Sequence, residues 1–104
     1  MTFSPSVFAS FRLDGEATLV TGAGAGIGRG AALAFAEAGA AVAVTDIDAD
    51  AAEAVAAEIT AAGGTARAFA LDVASEARIV EVVDDAARAF GRLDVLVNNA
   101  GTDK

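Results

Sequence analysis

Short apolar segments alternate with segments of helical periodicity along most of this 104-residue chain. Four segments are largely apolar and are bordered by glycine, aspartate or asparagine, as buried strands usually are. They are residues 17–21, 41–45, 66–70 and 93–97. In the three segments between them, apolar residues recur every three or four positions, so each segment predicts an amphipathic helix. The predicted order of elements is therefore β-α-β-α-β-α-β.

Each predicted helix has one apolar face. These faces comprise Ile27, Ala31, Ala34, Phe35 and Ala38 in the first helix, Ala52, Val55, Ala56 and Ile59 in the second, and Ile79, Val83, Ala86 and Phe90 in the third. Asp48 or Asp50 can cap the second helix, where Asp50 and Glu53 have the spacing of a capping box. Ser75 is the expected cap of the third helix.

This order of elements predicts an α/β fold. Parallel strands need crossover connections such as these helices, and strands that are apolar throughout are covered on both faces of the sheet. With right-handed crossovers the chain makes a doubly wound parallel sheet of the Rossmann type, with four strands in the order 3-2-1-4. Residues 1–11 are expected to be a flexible leader, and residues 12–104 to form the domain.

The missing residue types exclude several kinds of chemistry. The chain has no cysteine, histidine, tyrosine or tryptophan, so we expect no disulfide framework, no metal site of the zinc type and no Ser-His triad. Fifteen acidic residues against seven basic ones give a net charge of −8, which argues against nucleic acid or an anionic membrane as a partner. With neither a secretory signal nor a membrane span, a cytoplasmic location is expected.

A glycine-rich segment, residues 21–28, follows the first predicted strand and opens the first predicted helix. Glycines also serve ordinary turns, but in this context they let the backbone approach a pyrophosphate, which the helix N-terminus then binds. Arg29 follows the segment and either assists the phosphates or is solvated. The predicted site residues of this segment are Gly22, Gly24, Gly26, Ile27 and Gly28.

Asp46 lies at the end of the second predicted strand, 18 residues beyond Gly28. An acid at this place can hydrogen-bond both ribose hydroxyls of an adenosine; alternatively it only begins the turn into the second helix. Its carboxylate would repel a 2′-phosphate, and the neighbouring Ala25 and Ile47 supply no cation. The predicted cofactor is therefore NAD rather than NADP, and Ile47 is included in the predicted site.

Four segments together resemble the short-chain dehydrogenase/reductase family. They are Leu13-Asp14-Gly15, the T-G-x-x-x-G-x-G form at residues 21–28, Asp72-Val73, and Asn98-Asn99-Ala100-Gly101. The resemblance covers roughly residues 12–101, and four motifs in order are far more specific than one. It implies that Gly22, Gly26 and Gly28 form the cofactor loop and that Asp46 binds the adenosine ribose.

The resemblance also implies roles for the loops after the third and fourth strands. Asp72 and Val73 would contact the adenine ring, through the carboxylate and the backbone respectively. Asn98, Asn99, Ala100 and Gly101 would tie the fourth strand to the sheet and line the cofactor beside its ribose. Alternatively, Asp72 only favours the dipole of the third helix, and the asparagines only satisfy loop backbone.

The family's catalytic serine, tyrosine and lysine lie beyond the N-N-A-G segment, and this sequence has no tyrosine. No catalytic residue is therefore predicted. The chain is expected to be the NAD-binding part of an oxidoreductase that transfers hydride between nicotinamide and a carbonyl or alcohol, truncated after the fourth strand and inactive alone. A non-catalytic dinucleotide-binding module and a remnant without function are the alternatives. The open edge of the fourth strand predicts marginal stability and self-association.

Overall fold

A computed structural model describes residues 12–99. The predicted leader, residues 1–11, and the predicted site residues Ala100 and Gly101 lie outside this range. The strands are β1 (Ala17–Val20), β2 (Ala41–Asp46), β3 (Thr65–Ala70) and β4 (Val95–Val97). The helices are α1 (Gly26–Glu37), α2 (Ala49–Ala61) and α3 (Glu76–Phe90). The predicted alternation of strands and helices is confirmed.

The four strands form one parallel sheet in the order β3-β2-β1-β4, as predicted. Each helix connects two parallel strands, so the loops that follow the four strands all leave from the same edge of the sheet. We call this edge, where residues 21–25, 46–48, 71–75 and 98–99 lie, the carboxyl edge. The predicted site residues within the described range all belong to it or to the first turn of α1.

The sheet is covered on both faces. One core, which includes α1 and α2, contains Val20, Val42 and Val44 of the central strands. The other core contains Leu19 and Ala43, with α3 packed over them. Small side chains at the helix–sheet contacts, including the fully buried residues Ala32, Ala52 and Ala86, let the layers approach closely.

The strands at the two edges differ from the expectation of uniformly buried strands. β1 is buried throughout, whereas β3 contains only exposed and half-buried residues and Leu96 of β4 is 57% exposed. Within residues 12–99 each edge strand pairs with a neighbour on one side only, so its side chains are incompletely covered. In α3, the fully buried Val82 lies outside the predicted stripe, whereas Ile79, Val83 and Phe90 pack only partly buried against the same core.

The structure shows which residues cap α2 and α3. Asp48 caps α2, since its side chain accepts hydrogen bonds from the backbone N–H groups of Asp50 and Ala51 at 3.1 and 3.2 Å. Asp50 lies inside the first turn, so the capping box of Asp50 with Glu53 is wrong. Ser75 caps α3 as predicted, accepting from the backbone N–H of Arg78 at 3.2 Å. None of the three helices within residues 12–99 is long and apolar enough to span a bilayer.

Candidate functional site

The glycine-rich loop between β1 and α1 is held by the strands on both sides. Its Thr21 N–H donates to the carbonyl oxygen of Val97 in β4 at 3.0 Å. Its Ala23 N–H donates to the carbonyl oxygen of Thr45 in β2 at 2.8 Å. The loop backbone is therefore fixed at the carboxyl edge by hydrogen bonds to two neighbouring strands.

Gly28, in the first turn of α1, is the point where the helix comes closest to this loop. A Cβ atom there would collide with the carbonyl oxygen of Gly22 and lie 2.7 Å from Nδ2 of Asn99. Because the first obstacle is backbone, it cannot rotate away as a flexible side chain would. Any residue other than glycine would push the helix and the loop apart.

Two further glycines of the motif, Gly24 and Gly26, differ in their surroundings. A Cβ atom at Gly24 would lie 2.6 Å from Cβ of Ala51 in α2 and 2.9 Å from Oδ2 of Asp46. Gly26 has a φ of +59°, the left-handed conformation that favours glycine, and a Cβ atom there would face open space. The loop is thus packed against protein at Gly24 and open at Gly26.

The N-terminus of α1 has no side-chain cap. Its N-cap residue, Ala25, has no side-chain acceptor, and the first turn contains no acidic residue. The first N–H groups of a helix lack partners within it and carry about half a positive charge together. Ile27, in the same turn, is 84% exposed. This helix end therefore presents donors suited to an anion beside an exposed apolar side chain.

Asp46, at the end of β2, lies against the glycine loop. Its Oδ2 accepts a hydrogen bond from the Gly24 N–H at 2.9 Å, and its Oδ1 accepts one from the Asp48 N–H at 2.9 Å. The carboxylate therefore begins the turn into α2 and also joins that turn to the loop. Each oxygen keeps a second lone pair for a ligand hydroxyl. The adjacent Ile47 is 71% exposed.

Arg29 does not point to a phosphate site. Its guanidinium forms a two-pronged ion pair with Glu58 of α2, with Nε 2.9 Å from Oε1. The hydrogen bond from Arg29 lowers the pKa of the Glu58 carboxyl. Arg29 therefore joins α1 to α2, and the phosphate-assisting role is not supported by this geometry.

The asparagines after β4 bond to the start of the glycine loop. The Asn99 N–H donates to Oγ1 of Thr21 at 2.9 Å, and Nδ2 of Asn99 donates to the carbonyl oxygen of Gly22 at 3.2 Å. The Thr21 hydroxyl in turn donates to Oδ1 of Asn98 at 3.1 Å. These contacts support the loop backbone, which is the structural role left open in the sequence.

Asp72 and Val73 follow β3 at the same edge. The Leu71 N–H donates to the carbonyl oxygen of Asp46 at 2.9 Å, which joins this loop to the end of β2. Oδ1 of Asp72 accepts from the Ala74 N–H at 2.9 Å, whereas Oδ2 has no partner within residues 12–99. One carboxylate oxygen of Asp72 is therefore available to a ligand.

Asp94 is a structural acid that the sequence reasoning missed. At the opposite edge of the sheet, its Oδ2 accepts from the N–H of Ala17, the first residue of β1, at 2.8 Å. The hydrogen bond from Arg92 has the largest effect and, together with the one from the Ala17 backbone, lowers the pKa of the Asp94 carboxyl. An acid directly before an apolar strand was the available signal. The described residues contain no cluster of acidic side chains able to hold a metal ion.

Comparison with known proteins identifies a family. The profile of a family described as short chain dehydrogenase matches residues 16–104. D-threitol dehydrogenase of Mycolicibacterium smegmatis is 49% identical over 96 residues, which are 92% of this chain and 37% of the relative. 7alpha-hydroxysteroid dehydrogenase of Escherichia coli is 50% identical over 92 residues, which are 88% of this chain and 36% of the relative.

Solved structures give the same result. A 7alpha-hydroxysteroid dehydrogenase complexed with NADH and 7-oxo glycochenodeoxycholic acid has a TM-score of 0.85 and 47% identity, covering 96% of this chain and 38% of that one. A D-mannonate oxidoreductase homologue from Haemophilus influenza with bound NAD has a TM-score of 0.87 and 33% identity, covering 94% and 35%. This chain thus spans little more than a third of the length of these relatives.

Proposed function

The chain belongs to the short-chain dehydrogenase family, and on that premise we propose that it is the NAD-binding part of an oxidoreductase. The proposed reaction transfers hydride between nicotinamide and a carbonyl or alcohol carbon. One observation carries the proposal: the hydrogen bond of 2.9 Å between Oδ2 of Asp46 and the Gly24 N–H joins the ribose-binding acid to the phosphate-binding loop. The proposed ribose-binding acid and the proposed phosphate-binding loop therefore lie side by side at the carboxyl edge.

The residues at the carboxyl edge fit a dinucleotide. The loop is closed by backbone contacts at Gly28 and open at Gly26, so a pyrophosphate can approach the uncapped N–H groups of α1. Of the four large hydrophobic side chains exposed within residues 12–99, Ile27 and Ile47 flank this loop and would be covered by a ligand. Two structural relatives contain NADH and NAD. The bound cofactor would supply the nicotinamide ring that accepts or donates hydride.

Each part of the edge has a proposed role. The loop and the first turn of α1 bind the pyrophosphate, and Asp46 accepts hydrogen bonds from the ribose hydroxyls. The free oxygen of Asp72 accepts from the amino group of adenine, and the backbone of Val73 contacts the same ring. Asn99 holds the Gly22 carbonyl in place. Ala100 and Gly101 are proposed to line the cofactor beside its ribose.

NAD is proposed over NADP on electrostatic grounds. The 2′-phosphate of NADP would lie against the Asp46 carboxylate, and like charges in contact repel each other strongly. The flanking Ala25 and Ile47 are uncharged. Arg29, the nearest basic residue in sequence, is bound to Glu58.

The acid-base chemistry is proposed to lie outside these residues. The family's catalytic tyrosine has no counterpart, because the 104-residue sequence contains no tyrosine. We therefore expect the chain by itself to bind NAD without oxidising an alcohol. The substrate is proposed only as a carbonyl or alcohol compound.

Calorimetric titration of the chain with NAD and NADP tests the proposal. We expect NAD to bind at least about tenfold more tightly than NADP, as one uncompensated repulsion of about 1.4 kcal/mol would require. Asp46→Asn should narrow that ratio, whereas the control Asp50→Asn, in the first turn of α2, should leave it unchanged. A folded chain that binds neither dinucleotide, or that prefers NADP, would contradict the proposal.

A further inference from the structure

Arg78 binds a backbone oxygen at the open edge of the sheet. Ala70 is the last residue of β3, the outer strand next to β2. Because the Leu71 N–H points towards β2, the carbonyl of the preceding residue points away from the sheet. Nε and Nη2 of Arg78 both donate to that oxygen, at 3.1 and 2.9 Å. One side chain from the first turn of α3 thus satisfies a carbonyl that no strand within residues 12–99 can reach.

The same residue closes the loop that carries the proposed adenine contacts. The Ser75 N–H donates to the carbonyl oxygen of Asp72 at 3.0 Å, and the Ser75 hydroxyl oxygen accepts from the Arg78 N–H at 3.2 Å. Arg78 therefore contacts both ends of the loop, through its side chain at Ala70 and through its backbone at Ser75. Val73 lies between these two anchors, half-buried against the core under α3.

An ordinary surface ion pair does not account for this geometry. Arg78 also pairs with Glu81 through Nη1 at 3.2 Å, but that contact uses only one of its three nitrogens. Arg88, on the same helix, forms a comparable ion pair with Asp84 and is an example of an arginine that makes only a surface ion pair. The two bonds to Ala70 distinguish Arg78 from it.

We propose that Arg78 is a positioning residue for the adenine site: by clamping the end of β3, it holds Asp72 and Val73 where they contact the base. The inference rests on the proposed NAD-binding function and deepens it. Arg78 makes no contact with the ligand itself. Its loss should therefore reduce recognition of the base more than it reduces binding of the phosphates and riboses.

The test compares two dinucleotides by calorimetry. They are NAD and nicotinamide hypoxanthine dinucleotide, in which oxygen replaces the adenine amino group. The unaltered chain should prefer NAD, because only adenine offers its amino group to Asp72. Arg78→Met should reduce that preference by about 2- to 10-fold, the ratio that one hydrogen bond supplies. The control Arg88→Met should leave it unchanged. A merely structural role would weaken both ligands equally.

Arg78→Lys is the second variant, with folding checked by circular dichroism. Its single ammonium group can keep at most one of the two bonds to Ala70, so an intermediate preference is expected even if Arg78→Met does not fold. Full preference for NAD in both variants, or in Arg78→Lys alone if only that variant folds, would overturn the role of Arg78 while leaving NAD binding intact. An unaltered chain that binds NAD without any preference would overturn the Asp72 contact and this inference with it. Binding of neither dinucleotide would overturn the proposed function itself.

Discussion

The N-terminus of α1 differs from those of α2 and α3. Asp48 caps α2 and Ser75 caps α3, and each of these helices has an acidic residue in its first turn. α1 has neither a side-chain cap nor an acid in its first turn, and Ala25 stands at its N-cap position. All three helices start at the carboxyl edge of the sheet. Neither their position in the fold nor their exposure therefore explains why α1 lacks a cap and α2 and α3 have one.

A bound anionic ligand would explain why α1 has neither a side-chain cap nor an acidic residue in its first turn. Free N–H groups at a helix start are satisfied by a side chain, by water or by an anion. A capping acid at α1 would occupy the donors and add negative charge where the proposed pyrophosphate binds. The two capped helices show that this sequence supplies side-chain caps at the other helix starts of the same edge.

The largest effect is expected from filling the close contact between the first turn of α1 and the glycine-rich loop. Gly28→Ala places a methyl group against the Gly22 carbonyl, and such overpacking costs about 1–3 kcal/mol of stability. NAD binding should become undetectable, because the loop and the first turn of α1 separate. Urea denaturation and calorimetry measure the two effects.

Gly30→Ala is the matched control. Apart from its chain neighbours and the backbone of its own helix, no atom lies within 4 Å of the added Cβ, so replacing this helical glycine should stabilise the chain by about 0.5–1 kcal/mol. Equal stabilities of Gly28→Ala and Gly30→Ala would refute the close-approach argument.

Giving α1 the cap that α2 has should separate stability from binding. Ala25 has the extended backbone of an N-cap residue, with φ −161° and ψ 165°. Ala25→Asp should therefore stabilise the chain by about 0.5–2 kcal/mol while weakening NAD binding at least about tenfold through repulsion of the phosphates. Ala25→Asn, a neutral cap, should stabilise similarly and weaken NAD less. Unchanged affinity in Ala25→Asp would mean that the phosphates bind elsewhere.

Removing the cap of α2 should have the opposite signature. Asp48→Ala loses two hydrogen bonds to backbone N–H groups and should cost about 1 kcal/mol of unfolding free energy. NAD affinity should stay nearly constant, because the bond to Asp46 comes from the Asp48 backbone. Asp50→Ala is the control and should cost less than about 0.5 kcal/mol. Urea melts of the two variants decide whether Asp48 acts as the cap.

Asp94 extends the comparison to the edge of the sheet opposite the carboxyl edge. Its carboxylate accepts a hydrogen bond from the first N–H group of β1, as the Asp48 carboxylate accepts hydrogen bonds from the first N–H groups of α2. Because its pKa is lowered in the folded state, its charged form stabilises the fold above the unfolded pKa of about 3.9. That contribution is lost as the pH falls through the lower, folded pKa. Asp94→Asn should therefore be less stable than the original chain at neutral pH, and the difference should shrink in urea melts below about pH 4.

Asp85→Asn is the control for this small effect, since Asp85 is an exposed residue of α3. A stability difference for Asp94→Asn that stays constant down to pH 3 would contradict the role of the charge.

Much of the architecture could be read from local pattern. The alternation of β1 to β4 with three amphipathic helices, the order 3-2-1-4 and the position of Asp46 at a strand end were predicted, since periodicity and strand ends depend on neighbouring residues. The choice of Asp48 over Asp50 as cap was left open, because it depends on the residue at which the helix begins. The half-buried edge strands followed from strand order rather than from composition.

The partners of the polar side chains could not be read in the same way. Arg29 was compatible with phosphate or solvent, and only the packing of α1 beside α2 shows Glu58 as its partner. The bond of Asn99 to Gly22 spans 77 positions, and Asp94 reaches Ala17 over the same separation. Arg78 carried no motif at all.

The sequence by itself determined the order of elements, the glycine loop at a helix start and the acid beside it, because short-range periodicity and backbone freedom are properties of consecutive residues. Only the tertiary structure decided which donor meets which acceptor: Asp46 on Gly24, Asn99 on Gly22 and Arg78 on Ala70. Hydrogen bonds require distances near 3 Å, and such distances between remote residues exist only once the sheet has brought its strand ends together.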